Sequence, residues 1–200
     1  SFETDSGKID AITGKISAGY QWSGDAVYIM QQAEANDVDL NFAIPEECTN
    51  MYFDGWAMLK SGINGNSEKK KVAEAFVNFV SMPENAVRNM YYIGYTSVIS
   101  GGQSPVIYDY LKWNYGLESL MEEDDTISEA DAIDYSLGYF FSGVSNDSRY
   151  ILRTSKAQTE GMLSAQYPTE EVMHRSAIMQ YFDNDETARI NQMWINVRCF

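Results

Sequence analysis

Between positions 25 and 35 the apolar residues Ala26, Val27, Ile29, Met30 and Ala33 recur at three- and four-residue steps, the period of a helix that buries one face. Ser23 precedes them as an N-cap residue. The period then shortens to two: Val38, Leu40, Phe42 and Ile44 alternate with Asp39, Asn41 and Ala43, which predicts a strand closed by Pro45. Positions 51–59 form an apolar and aromatic run broken by Asp54 and Gly55, and read as a second strand. A turn through Asn64, Gly65, Asn66 and Ser67 leads to a helix over 68–80 with Val72, Phe76, Phe79 and Val80 on one face. Ser81, Pro83 and Glu84 restart a helix: the serine caps it, the proline suits its first turn and the glutamate completes a capping box. That helix runs to about Tyr92 and stops at Gly94.

Farther along, Gly101 and Gly102 mark a turn before a short aromatic helix. Positions 118–134 are strongly acidic and are predicted to face solvent. Ala188, Ile190, Met193, Trp194 and Val197 give a last helix over 185–197. Strands alternating with helices predict an α/β fold, and neither an internal repeat nor a low-complexity linker divides the chain.

Composition narrows the partners. With 44% hydrophobic and 14% aromatic residues in 200, the chain can bury a real core. Twenty-nine acidic against fourteen basic side chains leave a formal charge of −15, a field that repels nucleic acid and anionic lipid and attracts cationic solutes. No stretch reaches the roughly 20 apolar residues of a membrane-spanning helix. No signal peptide opens the sequence, and its first residues read as the interior of a longer protein. Cys48 and Cys199 match no metal or redox spacing, so a bridge and a pair of buried thiols both stay open. His174 is the single histidine, which argues against a histidine-based metal site or triad; no metal and no cofactor is expected.

Catalytic patterns are largely absent. Ser23-Gly24-Asp25 lacks the frame of a nucleophile elbow, and Gly62 to Gly65 lacks the Lys-Ser/Thr of a phosphate loop. A carboxylate pair for glycoside hydrolysis survives on numbers alone, but a binding protein rather than an enzyme is expected. Three clusters set aromatics beside single polar residues: Tyr20 to Asp25, Met51 to Trp56, and Tyr91 to Thr96. A linear polyamine would ask for that mixture. Its ammonium ends need carboxylates or other acceptors, and its methylene stem needs apolar walls whose rings also attract the adjacent cations. The structural alternative is a core strand whose aromatics pack inside while Asp54 caps a turn at Gly55.

Gly19-Tyr20-Gln21-Trp22-Ser23-Gly24-Asp25-Ala26-Val27, Ala43-Ile44-Pro45-Glu46-Glu47 and Phe53-Asp54-Gly55-Trp56 resemble the spermidine/putrescine-binding proteins of bacterial ABC importers. The order continues through Ala73 to Phe79, Met82-Pro83-Glu84, Ile93-Gly94-Tyr95, Tyr167-Pro168 and Met193-Trp194. Nearly the whole chain is covered, although 117–163 is longer and more divergent than in the founding members. The resemblance implies a two-lobed α/β fold of the type II periplasmic-binding-protein kind, of which only the C-terminal part is present. Residues 1–51 would end the second lobe, 52–97 would form a hinge-bounded segment of the first, and 98–200 would complete the second.

Residue by residue, the resemblance implies that Trp22 flanks the ligand's methylene chain and that Asp54 pairs with an ammonium nitrogen. Tyr52 would be an aromatic wall where a founding member has tryptophan, Tyr95 a cleft tyrosine, and Gln180 an acceptor for a ligand amine. Trp56 and Phe53 are assigned to the core. The implied setting is extracytoplasmic and membrane-tethered, with ABC permease subunits as partners, no nucleic acid, and an isolated fragment expected to dimerise. Alternatives are a receptor for another small organic cation or amino-acid derivative, a carboxylate-dependent hydrolase, and an interaction module that kept the fold without the ligand.

Overall fold

A computed structural model of the chain describes residues 7–198. Its helices are α1 (Gly7–Ile12), α2 (Ser23–Glu34), α3 (Lys60–Ile63), α4 (Ser67–Val80), α5 (Pro83–Ile93), α6 (Val106–Tyr115), α7 (Leu117–Glu123), α8 (Gly138–Phe141), α9 (Lys156–Thr159), α10 (Met162–Gln166), α11 (Glu170–His174) and α12 (Asn184–Arg198). Four short strands accompany them: β1 (Thr49–Met51), β2 (Ala132–Ser136), β3 (Ile151–Ser155) and β4 (Ser176–Ile178). The fold is mixed α/β with helix in large excess. Strand β1 runs parallel to β4, and β2 runs antiparallel to β3 with Ala132 opposite Ser155 and Ser136 opposite Ile151.

Two apolar clusters hold the chain together. The larger joins Ala86 and Met90 of α5 to Ile107, Tyr110, Leu111 and Tyr115 of α6, to Tyr135 and Leu152 of the β2–β3 pair, and to Leu163 and Tyr167. Burial drives this assembly, and its polar atoms are satisfied internally. The Tyr135 hydroxyl donates to Tyr167 O at 2.6 Å and Thr154 Oγ1 donates to Tyr115 O at 2.6 Å. The smaller cluster packs Ala26, Val27 and Met30 of α2 against Ala165.

Several expectations need correcting. Positions 38–44 form no strand, because among the described residues no second segment pairs with them in a ladder; Leu40 and Phe42 still pack on the smaller cluster, and Phe42 N donates to Glu160 O at 2.9 Å. Of the predicted strand over 51–59 only Met51 is extended in a ladder, as the last residue of β1, since β4 supplies only three residues of partner. Ser23 is the first helical residue and Trp22 the cap, with no side-chain cap bond. Ser81 closes α4 rather than capping α5, whose cap is Met82, and the capping box does not form. The acidic stretch over 118–134 faces solvent as expected except at Leu120, which is buried; Leu117 and Tyr135, buried too, flank it.

Other expectations stand. Helices α4 and α5 fall where the periodicity places them, and α5 ends on a left-handed Gly94 at φ 74°. The apolar face of α4, by contrast, has no cover: Val72, Phe76 and Phe79 are 51–68% exposed. On α12, Met193, Ile195 and Val197 are 54–66% exposed.

Candidate functional site

A cleft of about 1120 Å³ opens between the start of α2, the segment after β1, and the strap after α5. Its rings come from three separate parts of the chain. Trp22 meets Tyr52 edge-on with centroids 4.8 Å apart, and Tyr52 meets Tyr95 edge-on at 6.5 Å. Asp54 lines the same cleft and is exposed. Four of the five predicted site residues, Trp22, Tyr52, Asp54 and Tyr95, therefore share one cleft. Gln180 does not join them: it is exposed and lies outside the lining, although its neighbour Met179 is part of it.

Local chemistry explains how each ring is placed. Tyr52 follows the last residue of β1, and its hydroxyl lies 3.3 Å from Ser23 Oγ. Tyr95 sits on a strap held from both sides by one residue. Gln166 Nε2 donates to Gly94 O at 2.8 Å, while Gln166 O accepts from Thr96 Oγ1 at 2.7 Å. Gln166 Oε1 accepts in turn from the Tyr115 hydroxyl at 2.8 Å. A buried amide thus couples the core to the cleft wall through bonds whose loss would strand polar atoms.

Two glycines allow the close approach. A Cβ at Gly24 would lie 2.1 Å from the Tyr95 ring, and one at Gly94 would lie 2.6 Å from Gly24 O. Tyr95 consequently rests flush on the first turn of α2.

Both phenols stay protonated at neutral pH. Burial, followed by a hydrogen bond to Asp25, raises the Tyr95 hydroxyl well above its ordinary value. Burial is also the leading cause at Tyr52; the Ser23 bond opposes it and the Asp54 charge adds to it. Asp25 itself is paired with Lys8, Nζ to Oδ1 at 2.9 Å. The wall accordingly offers neutral hydroxyls, ring faces and one carboxylate in the lining close to them.

The segment after β1 also corrects two assignments. Phe53 and Trp56 are not core residues: both line the cleft, at 63% and 68% exposure, and Trp56 leans edge-on against Phe76 at 5.4 Å. Once the ladder stops at Met51, strand alternation no longer decides which side a residue takes. Cys48 is exposed, which removes the buried-thiol reading for it, and Cys199 lies outside the described residues. Among the described residues no group of His, Cys, Asp or Glu is arranged to hold a metal, and no helix is long and apolar enough to cross a membrane.

Lys8, Asp25 and Gln166 were not singled out in the sequence as site residues. Asp25 had a local signal, an acid beside Trp22. Lys8 and Gln166 had none, because their roles arise from contacts distant in sequence. No protein-family model matches the chain, and no solved structure matches it.

Proposed function

We propose that this chain is the ligand-gripping later part of a polyamine receptor serving an ABC importer. The observation that carries the proposal is the convergence of Trp22, Tyr52 and Tyr95 with Asp54 in one cleft. Rings wall an alkyl stem and attract its cationic ends by about 0.5–2 kcal/mol each; the carboxylate pairs with an ammonium. A chain charge of −15 raises the local concentration of such a cation. The ordered resemblance to spermidine/putrescine-binding proteins supports the same reading. In that reading the intact receptor is two-lobed, closes on its ligand, works outside the cell membrane and presents the closed form to permease subunits.

The uncovered apolar face of α4 supports a further lobe packed there. Closure also has an energetic role at Asp54. Exposed as it is here, its ion pair with an ammonium contributes about 1 kcal/mol or less. Enclosed between lobes, losing it costs about 2–5 kcal/mol. Titration calorimetry of putrescine and spermidine into the full-length receptor tests the proposal. Micromolar or tighter binding that falls at least about thirtyfold in Asp54→Asn is expected. Native-like affinity in that variant would sink it.

A second reading has its own observation. Tyr52 stands where a founding member has tryptophan, and Gln180 lies outside the cleft lining. Those two differences favour another small organic cation or an amino-acid derivative. Binding of such a compound, with neither polyamine giving heat, would select it.

A further inference from the structure

Charge is far scarcer inside the cleft than around it. The chain carries twenty-nine acidic and fourteen basic side chains, yet among the described residues the cleft lining holds one charged side chain, Asp54. The rest of the polar lining is neutral. Asn41, Asn50 and Asn89 bring amides from the segment before β1, from β1 itself and from α5, and Ser97 brings a hydroxyl from the strap. Tyr52 and Tyr95 add phenols that stay protonated at neutral pH. One carboxylate neutralises one ammonium. A second ammonium drawn into the same cleft would trade its water for neutral oxygens alone, and burying a charge without a counter-charge is costly. A neutral amide or hydroxyl escapes that cost, because side-chain amides both donate to it and accept from it.

We propose that the cleft takes an alkylammonium of single charge whose far end is a neutral hydrogen-bonding group, an N-acylated diamine or an amino alcohol, and holds it at least as well as the free diamine. The inference rests on the reading of the cleft as a cation site and fixes the charge of its ligand. The net charge of −15 works the other way, attracting a dication more strongly than a monocation from a distance. That pull fades beyond the Debye length, about 8 Å at 0.15 M salt, whereas the lining acts in contact.

Titrations of the 200-residue chain at about 0.15 M salt with N-acetylputrescine, putrescine and n-butylamine test the proposal. N-Acetylputrescine should bind within about threefold of putrescine or tighter, because a second carboxylate partner, even a half-exposed one, would favour the diamine about fivefold. n-Butylamine has the charge without the polar tail and should bind about threefold or more weakly than N-acetylputrescine, the size of a lost hydrogen bond. In Asp54→Asn the affinities for N-acetylputrescine and putrescine should fall by the same factor, since each seats one ammonium there. Putrescine binding more than about threefold tighter than its acetylated form, or butylamine binding as tightly as that form, would overturn the single-charge ligand and leave the cation site standing. Binding of none of the three amines would overturn both.

Discussion

Helices α6 and α4 are both amphipathic, of ten and fourteen residues, yet they end in opposite surroundings. On α6, Ile107, Leu111 and Tyr115 are 0% exposed, and their neighbours come from α5, β2, β3 and α10. On α4 no residue is buried, and Phe76, half-exposed, meets the edge of Trp56. An apolar stripe determines which face of a helix seeks cover; it does not say where the cover comes from. The cleft lies at the join of these two regions. Tyr95 is tied through Gln166 to the packed side, while Trp56 leans on the open one. A cleft built on such a join has one wall tied to the core and one that little supports.

The contrast can be broken most forcefully at its packed end. Leu111→Ala should cost about 2–5 kcal/mol in urea unfolding of this chain. A loss under about 1 kcal/mol would mean that the α6 core is far looser than described. Next comes the tether between core and cleft. Gln166→Leu strands the Tyr115 hydroxyl and Gly94 O, an expected loss of about 1–3 kcal/mol, and it should also loosen Tyr95. Unchanged stability would break the coupling argued here. Gly24→Ala pushes a methyl group into the Tyr95 ring and should cost about 1–3 kcal/mol, with most of its effect on the cleft.

Alkali sharpens the comparison without mutation. Burial pushes the Tyr110 hydroxyl up to about 12 and raises Tyr115, Tyr135 and Tyr167 as well. Above pH 10 the unfolded chain releases these protons while the folded chain retains them, so the folded state binds more protons and stability falls as pH rises. The contribution is intact below about pH 10 and is lost as pH rises to 12 and beyond. Urea midpoints at pH 8 and pH 11 should differ in that direction, and a flat profile would contradict the burial of these hydroxyls. The smallest effect belongs to α4. Phe76→Ala should change the stability of this chain by less than about 1 kcal/mol, as measured by urea unfolding.

Much of the helical skeleton was legible because its signals are local. The steps from Ala26 to Ala33, the periodic run of α4, Pro83 at the start of α5 and the left-handed Gly94 all act within a few residues. The strands were not, since a ladder needs a partner that the local sequence does not announce: 38–44 has the alternation but no strand beside it among the described residues, while β2 begins at the end of a stretch that reads as acidic surface. At the site, Trp22, Tyr52, Asp54 and Tyr95 came from the ordered resemblance, and all four share the cleft. Lys8 and Gln166 were silent because each works on a residue far away in sequence, 17 positions to Asp25 and 72 to Gly94.

The most direct test of the central claim compares putrescine with 1,4-butanediol, its uncharged counterpart of similar stem, in calorimetric titrations of the full-length protein. Walls of ring faces completed by Asp54 demand the ammonium as well as the stem. Saturable binding of putrescine, with no detectable heat from the diol, is the predicted result. Equal affinity for the two, or binding of neither by folded protein, would contradict the account.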